Sequence, residues 1–130
     1  MTSTNNTARE TAEMLNGTSL GLAMDQFRKY PELFETIDIF MADERMRVRL
    51  AATSVVEELL PEFSDKIQSS VSAIIPLLNH PSHLVRGDAV NLLAVIDAPG
   101  NLELIKKMTE DPDLQVREVA LDILADMEFS

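Results

Sequence analysis

The sequence predicts an all-α protein: a short right-handed α-solenoid of about three antiparallel helix pairs with an N-terminal helical cap. One observation is a repeated pattern of Pro, Val-Arg, Ala and an aliphatic pair, found in NHPSHLVRGDAVNLL (79–93) and EDPDLQVREVALDIL (110–124). A second is that apolar residues recur at helical spacing along most of the chain. One helix pair cannot bury its apolar stripe alone, so the repetition predicts pairs stacked side by side.

The second helix of each pair is predicted from a shared pattern of apolar positions, here called the apolar grid. Aligned on Val48, Val85 and Val116, three segments begin with Val-Arg and place apolar residues at offsets 0, 4, 7, 8 and 11. This spacing returns to one helix face, and the alanine at offset 4 lets a neighbouring helix come close. The grids are Val48, Ala52, Val55, Val56 and Leu59; Val85, Ala89, Leu92, Leu93 and Ile96; and Val116, Ala120, Ile123, Leu124 and Met127.

A leading helix is predicted before each of these segments. Pro31 suits the first turn of one, Ser64 can cap the start of the next, and Pro76 predicts a kink near Ala73. The apolar positions of the three leading helices are Leu33, Ile37, Phe40 and Met41; Ile67, Val71, Ile74, Ile75 and Leu78; and Leu102, Ile105 and Met108.

These elements predict a single domain over residues 19–130, with repeats at about 31–60, 65–96 and 101–127. A cap helix carrying Leu20, Met24 and Phe27 packs onto the first pair. Residues 1–18 are predicted to be a flexible segment with at most a turn or two of helix near its end, and the polar residues 1–7 to be disordered.

Composition narrows the classes of function. The net charge of −11, from 22 acidic and 11 basic residues, disfavours nucleic acid and anionic membranes as partners. The chain has no cysteine, which excludes thiolate catalysis and cysteine-ligated zinc. The N-terminus does not resemble a secretory signal, and no apolar run is long enough to span a membrane. A cytoplasmic location is the expectation.

No catalytic, cofactor-binding or metal-binding residues are predicted. His80 and His83 have a spacing that metal sites use, and Asp88 and Asp111 are conceivable further ligands. The other interpretation, a turn with solvated imidazoles, is favoured. The chain lacks a glycine-rich phosphate loop and a Gly-x-Ser-x-Gly elbow. We therefore predict that the protein is not an enzyme and needs no cofactor.

The repeated residues resemble HEAT repeats, an armadillo-like α-solenoid family, and in particular the bacterial type also found in phycobilisome lyases. The matching signature is Asp-Pro, three residues, Val-Arg, two residues, Ala, three residues and an aliphatic, which residues 111–124 follow closely. Residues 81–93 follow it with His80 in the Asp place, and residues 43–56 follow it with Glu44 in place of Pro.

The resemblance also implies a ladder of Asp and Arg side chains between neighbouring repeats. Carried over to this sequence, its members are Asp43, Asp111, Arg49, Arg86 and Arg117, with Asp88 as a substitute where His80 breaks the pattern. These arginines are expected to be structural.

The resemblance further implies that the second helices line a concave face. About 100° per residue separates helix positions, so the offsets away from the apolar stripe predict a partner-binding face, with an ordinary solvated helix face as the alternative. This polar, increasingly acidic face would suit a protein segment with basic and aliphatic side chains. The predicted residues are Arg47, Leu50, Ser54, Glu57, Leu84, Asn91, Gln115, Glu118 and Asp122.

Three functions follow as hypotheses. The first is a non-enzymatic protein–protein interaction module, a small scaffold, adaptor or assembly factor. The second, suggested by the resemblance alone, is a lyase-like or chaperone-like subunit that handles a tetrapyrrole or another cofactor. The third is a repeat block that works within a larger complex.

The C-terminal end allows two interpretations. Val119 and Leu121 lie on opposite flanks of the last helix, so one faces the second repeat and the other faces the open end. Phe129 is near the second flank. Either a weak homodimer forms through this end, or the tail from Glu128 to Ser130 folds back as a lid.

Overall fold

A computed structural model describes the backbone of residues 2–129 and the side chains of residues 7–127. This part of the chain is helical and contains no strand, in agreement with the predicted all-α class. The α-helices are α1 (Thr2–Leu15), α2 (Leu20–Lys29), α3 (Ile37–Met41), α4 (Met46–Leu59), α5 (Ser64–Ser69), α6 (Val71–Ile74), α7 (His83–Ile96), α8 (Asn101–Lys107) and α9 (Leu114–Phe129). Three 3-10 segments accompany them: Pro31–Thr36, Ile75–Asn79 and Met108–Glu110.

The leading helices are broken into short pieces. Pro31 opens a 3-10 segment that continues into α3, and Pro76 lies in the 3-10 segment that follows α6. Proline has no N–H to donate, which favours such tightened turns over a continuous α-helix. The break between α5 and α6 falls at Ser70, before the kink expected near Ala73.

The cap predicted at Ser64 is wrong. Helix α5 begins at Ser64 itself, and the capping position is occupied by Phe63, with no side-chain hydrogen bond. The ring of Phe63 instead packs 5.4 Å from the ring of Phe34, centroid to centroid. Phe63 is thus placed by packing against Phe34 and supplies no capping hydrogen bond to α5.

The longer second helices form the centre of the molecule. Helix α4 contacts α7, α7 contacts α9, and each is also in contact with the leading segment before it. The apolar grids of α4 and α7 are buried at every position, as predicted. In α9 only Val116 and Ala120 are buried, while Ile123 and Leu124 are half-buried. Met127, assigned to the core by its spacing, is 37 % exposed, because within the described residues α9 packs against one other second helix, α7.

An aromatic cluster fills the N-terminal end of the core. The ring of Phe27 lies 5.0 Å from that of Phe34 and 5.8 Å from that of Phe40, and all three side chains are fully buried. Phe27 thus packs the cap helix α2 onto the first pair as predicted. Met24 is only half-buried and Leu20 is exposed, since Ala23 takes the inner face of α2.

The N-terminal segment differs from the expected flexible stretch with a short helix. Helix α1 covers Thr2–Leu15 and contacts both α2 and α4. Leu15 is buried in the core and Thr11 is buried beside it, where its Oγ1 donates to the Thr7 carbonyl and accepts from Gln26. Sequence periodicity gave little sign of this because the polar Thr11 occupies an inward-facing position. The side chains of residues 1–6 lie outside the described part.

No helix within residues 2–129 combines the length and the apolar character needed to cross a membrane.

Candidate functional site

Each turn that precedes a second helix contains the same type of hydrogen bond. A side chain at the start of each turn accepts from the backbone N–H two residues later, an arrangement that closes the turn locally. In the middle turn the imidazole of His80 replaces the aspartate of the other two. The three bonds run from Arg45 N to Asp43 Oδ1 at 2.9 Å, from Ser82 N to His80 Nδ1 at 3.0 Å, and from Asp113 N to Asp111 Oδ1 at 2.9 Å.

One arginine per second helix fastens the helix to its own turn. In each case Nη1 donates to the carbonyls six and five residues earlier, which lie in the turn. Arg is suited to this role because its planar guanidinium offers several donors in a fixed geometry. The bonds join Arg49 to Asp43 (2.8 Å) and Glu44 (3.0 Å), Arg86 to His80 (2.9 Å) and Pro81 (3.2 Å), and Arg117 to Asp111 (2.8 Å) and Pro112 (3.0 Å).

Two of these arginines also bond to the following pair. Arg49 Nε donates to Asp88 Oδ2 at 2.6 Å, so Asp88 takes the rung that His80 cannot provide, as expected. Arg86 makes a bidentate contact with Asp111, in which Nε donates to Oδ2 at 2.9 Å and Nη2 donates to Oδ1 at 3.1 Å. The ladder implied by the family resemblance is therefore present between the first and second pairs and between the second and third.

The two turn aspartates have lowered pKa values. Burial of Asp111 acts to raise its pKa, but the hydrogen bond from Arg86 and the nearby backbone N–H outweigh burial and bring it below the usual 3.8. For Asp43 the hydrogen bond from Arg45 is the main cause of a pKa below 3.8. Both carboxylates are thus stabilised in the ionised form, Asp43 by Arg45 of its own turn and Asp111 by Arg86 of the preceding helix α7, which is a structural role.

An open groove of about 550 Å³ runs across the three second helices. It brings together three of the predicted partner-binding residues, namely Leu50, Glu57 and Asn91. Leu50 is 48 % exposed, so a partner could bury much of its side chain. The full lining is Leu50, Thr53 and Glu57 from α4; Asp88, Asn91, Ala94 and Val95 from α7; and Ile123, Asp126 and Met127 from α9.

The other predicted residues lie elsewhere on this surface. Arg47 and Ser54 line a second hollow of about 370 Å³ between the end of α1 and α4, to which Leu50 also contributes. Leu84 and Gln115 line a third, of about 100 Å³, between α7 and α9. Glu118 and Asp122 are exposed and line none of these three hollows.

Several groove residues were missed by the sequence analysis. Thr53, Val95 and Asp126 each lie on their own helix beside the face that was predicted to bind a partner. Ile123 and Met127 were predicted to be core residues. The last two lie on α9, whose apolar stripe has fewer neighbours among the described residues than those of α4 and α7.

The histidines do not form a metal cluster with the acids. His80 Nδ1 is used in its turn, whereas His83 lines the small hollow between α7 and α9. Within the described part of the chain, no group of three or more His, Asp or Glu side chains could hold a metal ion.

Comparison with known proteins adds one finding. A family model described as a HEAT repeat associated with sister chromatid cohesion matches residues 102–124, which span most of α8 and α9. This match supports the HEAT-repeat family. It does not support the phycobilisome-lyase type. Neither a curated protein nor a solved structure matches the chain. HEAT repeats serve in general as scaffolds for protein interactions, and are typically not enzymes.

Proposed function

We propose that the protein is a non-enzymatic interaction scaffold, an adaptor or assembly factor, that binds a segment of another protein along the groove of α4, α7 and α9. The proposal includes the arrangement of the helices as a short right-handed solenoid of antiparallel pairs. The observation that supports it best is that one groove collects apolar and acidic side chains from all three second helices.

Part of the groove lining is apolar. Leu50, Val95 and Ile123 come from three different helices, and each leaves part of its side chain open to solvent. Covering such partly exposed aliphatic groups contributes about 25 cal/mol for each Å² removed from water. A partner therefore needs aliphatic side chains that cover these residues, and the contacts that become fully buried would contribute most of the affinity.

The groove lining also includes acidic side chains. Glu57 and Asp126 are exposed, and within the described residues neither forms an ion pair. The charge of Asp88 is balanced by Arg49. The unbalanced acids favour Lys or Arg side chains in the bound segment, which speeds association and selects orientation. Glu118 and Asp122 would extend the same preference for basic side chains along α9, beyond the groove.

The test is capture from native cells with two charge-reversed baits. The groove variant carries Glu57→Lys and Asp126→Lys. The matched control carries Glu35→Lys and Glu110→Lys, which change the net charge equally at exposed sites outside the groove. We expect the groove variant to weaken capture of the wild-type partner at least tenfold and the control to retain it. Equal capture by both variants, or equal loss, contradicts the proposal.

A further pair of substitutions defines the extent of the site. Glu118→Lys with Asp122→Lys should weaken capture if the surface continues beyond the groove. If capture is unchanged, these two residues belong to a solvated helix face and the site ends at the groove.

The alternative of a subunit that handles a tetrapyrrole has no observation of the structure in its favour. The groove is lined by apolar, acidic and neutral polar side chains, with no histidine among them to ligate a metal-bearing tetrapyrrole.

A further inference from the structure

The arginine ladder is closed at one end of the molecule and open at the other. Arg49 and Arg86 each hold their own turn with Nη1 and direct a second edge of the guanidinium to an aspartate of the next pair. Arg117 makes the same two bonds to its turn. Within the described residues, however, no carboxylate accepts from its Nε or Nη2.

At the N-terminal end of the ladder, by contrast, the aspartate is bonded to residues of the same chain. Asp43, in the first turn, accepts from Arg45 with both oxygens, at 3.0 and 3.1 Å. Arg45 also donates to Glu13 of α1 at 2.8 Å, so the N-terminal helix covers this turn. The first aspartate of the ladder therefore has a partner from within the chain, whereas Arg117 has no carboxylate partner among the described residues.

The apolar residues of α9 give an independent sign of a missing neighbour. Leu121 occupies the place that Val90 has in α7, five residues after the first grid valine. Val90 is fully buried, whereas Leu121 is 53 % exposed. Leu124 likewise corresponds to Leu93, but is half-buried where Leu93 is fully buried. Among the described residues, the outer side of α9 thus has a guanidinium edge without a carboxylate partner and aliphatic side chains left partly uncovered, at positions where α7 has both satisfied.

We propose that this end, made by Arg117 and Leu121, docks a helical repeat of a different protein, which presents a carboxylate to Arg117 and an aliphatic side chain to Leu121. The carboxylate would stand where Asp88 and Asp111 stand for the preceding arginines. This surface is separate from the groove and extends the stack, so one partner could bind along the groove while another continues it.

A second copy of this chain is a poor occupant. The aspartate that a stacked copy would offer is Asp43, whose oxygens are already bonded to Arg45 and whose turn is joined to α1. Each copy also carries a net charge of −11, which opposes self-association. These two points favour a partner of different sequence, rather than a homodimer.

The experiment is site-specific photo-crosslinking in native cells. The full chain carries Leu121→p-benzoylphenylalanine, and the control carries the same replacement at Leu22, which is 61 % exposed on α2. We expect an adduct specific to position 121, whose linked peptide lies in a helix of another protein close to an Asp or Glu. Adding Arg117→Glu should reduce the adduct at least tenfold, and replacing the partner's acid with Arg should restore it.

Three results overturn the proposal: no adduct from position 121, an adduct with a second copy of the chain, or an adduct that Arg117→Glu leaves unchanged. Because Arg117→Glu also removes two turn bonds, its helicity and Tm are measured by circular dichroism. Leu121→Asp, at an exposed position, provides a second variant, for which loss of co-purification of the cross-linked protein is expected. The groove variant Glu57→Lys with Asp126→Lys should leave the adduct intact, which separates failure here from failure of the proposed groove.

Discussion

Arg49 Nε donates to Asp88 Oδ2 at 2.6 Å and so joins helix α4 to helix α7. The arginine is only 3 % exposed, and its Nη1 also holds the carbonyls of Asp43 and Glu44. One guanidinium therefore sets both the start of its own helix and the position of its neighbour. A buried charge of this kind is stable only while all its partners remain.

Replacing Arg49 by lysine should destabilise the protein. Lysine keeps the charge but has no planar fork, so it cannot serve the aspartate and the two carbonyls together. We expect Arg49→Lys to lower the free energy of unfolding by about 2 kcal/mol, measured by urea denaturation. The matched control is Arg28→Lys, at an exposed ion pair with Glu62, which should change stability little. Similar losses in both variants would show that Arg49 has no special role.

The turn bond of His80 can be tested by two substitutions. His80→Ala removes the acceptor of the Ser82 N–H and should lower the free energy of unfolding by about 1 kcal/mol. His80→Asp restores the residue found in the other two turns and should retain wild-type stability. His83→Ala serves as the control, since His83 takes no part in this bond. If His80→Asp is as unstable as His80→Ala, the turn bond does not matter.

The contribution of Asp111 should depend on pH. Its pKa in the folded protein is lowered below 3.8, so its contribution to stability is present above the unfolded pKa and is lost as the pH falls through the folded pKa. At neutral pH, Asp111→Asn should lower the free energy of unfolding by about 1–2 kcal/mol. Urea denaturation of both proteins at neutral pH and below about pH 3 should show the difference shrinking. A difference that is constant with pH would contradict this assignment.

Two glycines should respond to alanine in opposite ways. Gly87 lies inside α7, and an added Cβ would be 4.0 Å from Val119 Cγ2, an ordinary contact. Gly87→Ala should therefore raise the free energy of unfolding by about 0.5–1 kcal/mol. Gly100 has a φ of +90°, and Gly100→Ala should lower it by about 1 kcal/mol because L-residues avoid this region. Thermal melts of the two variants should shift in opposite directions.

The sequence predicted the interior helices well. Every grid position of α4 and α7 is buried, because a period of about 3.6 is sufficient when a helix has neighbours on both sides. The same period failed at Met127, since burial in the last helix depends on a neighbour that the described chain does not provide. Asp88 was expected as a possible substitute for His80 in the ladder, and it accepts a hydrogen bond from Arg49.

The candidate site was predicted only in part. Leu50, Glu57 and Asn91 meet in one groove, but Glu118 and Asp122 lie outside it. Spacing along one helix tells which side chains share a face. It does not tell how far each pair is rotated relative to the last, and that rotation decides which residues of different helices line the same groove.

The cluster of Phe27, Phe34 and Phe40 should make the N-terminal end of the core more resistant to local unfolding than the end at α9. Large buried rings hold the N-terminal helices together, whereas α9 is held by smaller aliphatic groups and, within the described residues, packs against one other second helix. Transient unravelling should therefore begin at the last helix and spread inwards, so that amide protons near residues 114–127 exchange with solvent faster than those of α4 and α7.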